Sequence, residues 1–187
     1  MQIAINEHME KENRHEAVRI AKERLTVLEE LNDVHGQAAS RVFIAKQLLC
    51  NGEALVEAEQ MAESARAVYH SMQDTRGESQ ALKVLADVHH ALGHTDPALQ
   101  TVYQAVSLQR ECKDILEEAP TMCMIARLHL DRGELEEAAE AAKRAEKLYQ
   151  DLGDRDGEAT VLLDLAFGVQ VLRGEPGLAI LAATEAA

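Results

Sequence analysis

Residues 85–98 read LADVHHALGHTDPA, and this stretch decides the fold. A large–small pair, Leu85-Ala86, is followed by Gly93 and then by Ala98. The same spacing returns along the whole chain. Pairs at Ile3-Ala4, Ile44-Ala45, Leu85-Ala86, Ile125-Ala126 and Leu165-Ala166 lie at steps of 41, 41, 40 and 40 residues. Glycines follow them at Gly52, Gly93, Gly133 and Gly174, and Ala17, Ala58, Ala98, Ala138 and Ala179 fill one more equivalent position. Asp33, Asp74, Asp114 and Asp154 keep the same phase. A fixed period of this size marks a repeat architecture, in which each unit buries its apolar face only against its neighbours.

Between Asp33 and Gly52 the apolar residues Val34, Ala38, Val42, Ile44, Ala45, Leu48 and Leu49 fall mostly three or four apart, a helical stripe rather than strand alternation. Asp33 suits the helix start, because its carboxylate can accept from the free N–H groups of the first turn. Gly52 suits the end, because glycine enters the left-handed region at little cost. The reading is helix A near 34–50, helix B near 54–72, helix A near 75–92 and helix B near 96–112, continuing in step. Ile3-Ala4 falls mid-helix A. The alanines of each pair and of early helix B let backbones approach closely, so a bulky residue at Ala126 should overpack its contact.

This pattern resembles the tetratricopeptide repeat in its longer form of about 40 residues, on Leu85-Ala86, Gly93 and Ala98, with the link GDRDGEA at 153–159 similar to that of Pins-type adaptors and kinesin light chains. The resemblance implies an all-α fold, a right-handed α-solenoid of antiparallel helix pairs. The expected organisation is one solenoid over 1–187, with a partial repeat 1–32, repeats 33–73, 74–113 and 114–153, and a partial repeat 154–187. Such a chain is expected to be a slice of a longer superhelix, or a component whose ends other subunits cover. The Pins-type adaptors carry Asn before and after the large–small pair, which help to hold an extended peptide. Here those positions are Phe43 and Lys46, Val84 and Asp87, Met124 and Arg127, Asp164 and Phe167, so that ligand class is not implied.

The formal charge of −14 argues against nucleic acid and anionic lipid as partners, since both need clustered Lys and Arg. Aromatic residues are only 3% of the chain, which leaves few platforms for stacking bases. No apolar run approaches a membrane span, so no membrane insertion is expected. Cys50, Cys112 and Cys123 form no C-x-x-C spacing, consistent with thiols in a reducing, intracellular and cytoplasmic setting. His89, His90 and His94 cluster, but Gly93 should end the helix before His94, and no metal or cofactor is expected. His129 shares the repeat position of His89, which assigns both to packing. No phosphate loop, nucleophile elbow or H-E-x-x-H is present. Catalysis is not expected.

What remains is binding of protein or peptide partners within a larger complex. In a solenoid of this kind the helix A rows line a groove. Counted from the alanine of each pair, the groove positions are Val42, Lys46 and Leu49; Lys83, Asp87 and His90; Cys123, Arg127 and Leu130; and Leu163, Phe167 and Gln170. Their mixture of cationic and apolar side chains suits a segment of alternating acidic and apolar residues. An architectural subunit and a ligand-sensing regulatory module are the alternative readings.

Overall fold

The computed structural model describes residues 2–52 and 54–163, with side-chain surroundings from residue 13 onward. All regular structure among these residues is α-helical. The helices are α1 (Gln2–Glu30), α2 (Val34–Asn51), α3 (Leu55–Ser71), α4 (Thr75–Ala91), α5 (Thr95–Glu111), α6 (Ile115–Asp131) and α7 (Leu135–Leu152). An eighth, α8, begins at residue 155 and is described to 163. Gly174, Phe167 and Gln170 lie outside the described residues.

Two compact units result, residues 1–101 and 102–187. In the first, α1 packs on α2, α2 on α3 and α3 on α4, and α2 also touches α4, so the two helix A rows lie side by side. In the second, α6 packs on α7. The small residues are where close helix approach needs them. Ala45, Ala58, Ala86, Ala98 and Ala138 are fully buried, and Ile44, Val84, Ile125 and Leu128 fill the space beside them.

The turns from helix A to helix B occur at Gly52, Gly93 and Gly133, each at positive φ. At Gly93 the closure is a six-residue loop, with His94 N–H donating to the His89 carbonyl at 2.8 Å and Gly93 N–H to His90 at 2.9 Å. The return from helix B to helix A uses a second left-handed residue that the sequence does not announce. Asn32, Gln73, Lys113 and Gly153 occupy this position with φ between 55° and 70°. The next residue, the periodic Asp, donates its N–H back to Leu28, Tyr69, Gln109 and Tyr149 at 3.0, 3.0, 2.8 and 3.0 Å.

The Asp then starts the following helix. The carboxylates of Asp33, Asp74 and Asp154 accept from Gly36, Gly77 and Gly157 N–H at 2.9, 2.9 and 3.0 Å. The glycine is required by what lies over it. A Cβ at Gly77 would reach Tyr69 Cε1 at 2.5 Å, and one at Gly157 would reach Tyr149 Cε1 at 2.5 Å. The link after Lys113 is built differently. Glu117 stands where the others have glycine, Asp114 makes no cap bond, and Gln109 replaces the tyrosine. Buried Gln109 donates instead to Thr121 Oγ1 at 3.0 Å.

The first repeat departs from expectation. One repeat before Gly52 the chain has Lys11, and α1 runs unbroken through it for 29 residues. The segment around Ile3-Ala4, read as a separate helix A, is therefore the first part of a helix that continues into helix B. A non-glycine residue placed in the left-handed region costs roughly 1–2 kcal/mol, whereas continuing the helix keeps every backbone bond.

Candidate protein-binding surface

In the first unit, α2 and α4 carry six of the predicted groove positions on neighbouring helices. Lys46 is exposed, and Leu49, Lys83, Asp87 and His90 are half-buried. Val42 is 7% exposed and sits in the apolar cluster with Ile44, Leu48 and Val84. In the second unit Arg127 and Leu163 are exposed and Cys123 is half-buried, its thiol donating to the Ala119 carbonyl at 3.4 Å. Leu130 is buried at 8% exposure. Val42 and Leu130 are thus core residues that offer little surface, because the stripe facing the next helix is wider than two residues per turn. The cations among these positions are Lys46 and Lys83 in the first unit, alongside Asp87, and Arg127 in the second.

The two histidines at equivalent positions are held from helix B. His89 Nε2 lies 3.2 Å from Glu59 Oε1, and its Nδ1 is 3.4 Å from Thr101 Oγ1. His129 Nδ1 lies 2.6 Å from Glu134 Oε2, and the Tyr103 hydroxyl meets Nε2 at 2.9 Å. Glu134 also takes Arg132 Nε at 2.8 Å. The hydrogen bond from His129, and to a lesser degree Arg132, hold the Glu134 carboxyl below its ordinary value. Sequence spacing paired the histidines with each other by repeat position, but not with Glu59 or Glu134. Those partners lie 30 residues away in one case and across the helix turn in the other.

Open clefts occur on the helix B side. One in the first unit is lined by Val56, Glu59, Glu63 and Ala67 from α3 and by Leu85 and His89 from α4. Glu59 and Glu63 on its rim already have partners, His89 at 3.2 Å and Arg66 at 2.6 Å. Among the described residues no group of three or more His, Cys, Asp or Glu side chains is placed to hold a metal ion. Nor is any described helix long and apolar enough to cross a membrane.

No family model and no curated protein matches the chain. Solved structures do match. Two crystal structures of nearly identical TPR-like repeats, from a protein of Podosopora anserina described as a kinesin light chain, superpose with TM-scores of 0.74 and 0.72. Identity is 18% and 17%, and the alignments cover 96% of this chain and 88% and 89% of those. At this identity the likeness establishes the fold, a TPR-like solenoid of helix pairs.

Proposed function

We propose that this chain is a non-enzymatic interaction scaffold whose helix A rows hold an extended partner segment of alternating acidic and apolar residues. A TPR-like fold suggests a protein-interaction scaffold in general. The observation that supports this reading is that α2 packs on α4, two helices that carry exposed Lys46 and half-buried Lys83 and Leu49. Lys46 and Lys83, cations on a chain with net charge −14, favour an acidic segment and steer its approach.

The test is a fluorescence-anisotropy titration with a labelled peptide of alternating Glu and Leu. Lys46→Glu combined with Lys83→Glu should weaken binding at least about tenfold, the equivalent of about 1.4 kcal/mol. Glu137→Lys combined with Glu140→Lys, both exposed on α7, should leave binding unchanged or improve it. Loss of binding only in the α7 pair would move the site to the acidic helix B face and overturn the reading.

A further inference from the structure

We propose that Asn51-Gly52, at the turn from α2 to α3, is a self-modification site where the Asn51 carboxamide is converted to aspartate and isoaspartate through a succinimide. This goes beyond the scaffold role and does not depend on it.

The reaction needs a carboxamide next to an unhindered backbone nitrogen. Gly52 N attacks Asn51 Cγ and a C–N bond forms. The carboxamide nitrogen leaves as ammonia, taking the Gly52 N–H proton with it. Water then adds to one carbonyl of the five-membered ring. Opening on one side gives aspartate. Opening on the other gives isoaspartate, in which the main chain runs through the former side-chain methylene. Water is the one co-reactant.

The chain has four asparagines, Asn6, Asn13, Asn32 and Asn51, and only Asn51 is followed by glycine. A residue without Cβ leaves its nitrogen open to attack. Gly52 is exposed, and a Cβ built there would meet nothing within 4 Å. Asn51 is half-buried, and its Oδ1 is shielded from solvent with no hydrogen-bond partner among the described residues, so that oxygen does not anchor the carboxamide. Gly52 N–H donates to the Leu49 carbonyl at 2.9 Å, a bond in the last turn of α2, where helices fray most readily.

The turn is also longer than its equivalents. Ala58 follows Gly52 by six residues, whereas Ala98 and Ala138 follow Gly93 and Gly133 by five. Besides Gly52 it places Ala54 in the left-handed region at φ 52°, which is costly for a residue with a Cβ. A longer, strained turn opens more easily. Asp156-Gly157 is the contrasting case. Gly157 N–H is held by Asp154 Oδ1 at 3.0 Å, and Tyr149 crowds its α-carbon. Asn32 is followed by Asp33, whose N–H donates to the Leu28 carbonyl at 3.0 Å.

The product changes the turn. Either acid adds a negative charge at the C-terminus of α2, where the helix dipole is already negative. Isoaspartate also lengthens the main chain between Leu49 and Gly52 and draws the Gly52 N–H off its carbonyl. The packing of α2 on α3 across this turn is thereby loosened.

The experiment is peptide mass spectrometry on the full chain, held folded in heavy-oxygen water at mildly alkaline pH. Asn51 should lose its amide nitrogen and take up one heavy oxygen at least about tenfold faster than Asn13 and Asn32. Gly52→Ala should slow the conversion at least about tenfold, and Asn51→Gln, which keeps the glycine, should abolish it. The aged wild type should melt lower than fresh protein, and aged Asn51→Gln should not. Equal conversion at Asn51 and Asn13 would overturn the proposal, as would equal rates in wild type and Gly52→Ala. Conversion in urea with none in the folded chain would overturn it too, since the turn would then protect the site. An aged wild type that is modified but melts like fresh protein would refute the loosening of the α2–α3 turn.

Discussion

Gly77→Ala isolates the contact that sets the link between helix B and the next helix A. On an exposed helix this substitution stabilises by about 1 kcal/mol through helix propensity. At Gly77 the new methyl would sit 2.5 Å from Tyr69 Cε1 and 2.7 Å from Asp74 Oδ2, with Cδ1 of the ring also in its way. The ring cannot simply swing out, because Tyr69 is buried against the α2–α4 cluster and edge-on to His35 at 5.7 Å. Two hindered ring carbons place the overpacking cost near the top of the usual range, about 3 kcal/mol. The net loss should therefore be about 2 kcal/mol in urea unfolding. Tyr69→Leu should reduce the cost of Gly77→Ala, since Leu28 already covers Gly36 in the preceding link. The double-mutant cycle should give a coupling of about 1 kcal/mol or more. A Gly77→Ala variant as stable as wild type, or strict additivity with Tyr69→Leu, would refute the argument that the ring dictates the glycine.

Gly93→Ala meets open space but keeps a φ of +77°, so it should cost about 1 kcal/mol with no dependence on any neighbouring ring, readable in the same urea series. Asp74→Ala removes the 2.9 Å cap bond to Gly77 N–H and should cost about 1 kcal/mol, again by urea unfolding. Ala126→Leu should cost about 1–3 kcal/mol by overpacking the helix contact in the second unit, whereas Ala139→Leu on the exposed face of α7 should stay within about 0.5 kcal/mol. Burial, with Cys123 nearby, pushes the Tyr149 hydroxyl up to about 12. A raised phenol contributes stability that is complete below its unfolded value near 10 and is lost as pH climbs through about 12. The tyrosinate absorbance midpoint should thus lie above the free-tyrosine value, and Tyr149→Phe should flatten the loss of melting temperature over that alkaline window.

The fold was legible in the sequence because each of its signals is local and repeated. Leu85-Ala86, Gly93 and Ala98 each specify one step of a helix–turn–helix unit through backbone conformation and side-chain size, and the period multiplies the signal. The helix ends at Gly52, Gly93 and Gly133 and the caps at Asp33, Asp74 and Asp154 follow from the same chemistry. The surface was less legible. Counting from the pair alanine selected Lys46 and Arg127, which are exposed, but also Val42 and Leu130, which are buried. A fixed offset ignores how wide a stripe the neighbouring helix covers.

By itself the sequence determined an all-helical repeat, its period and where most helices turn, since glycine, aspartate and alanine act through local sterics and hydrogen bonds. Only the tertiary structure decided three things. It set Glu59 on His89 and Glu134 on His129, pairings between helices that no spacing rule contains. It explained the glycines three residues after Asp74 and Asp154 by Tyr69 and Tyr149 from the preceding helices. It also joined the first two expected helices into α1 and left Phe43 exposed on α2. That last outcome falls at position 11, where lysine stands in place of the glycine that closes helix A in the later repeats and the helix runs on.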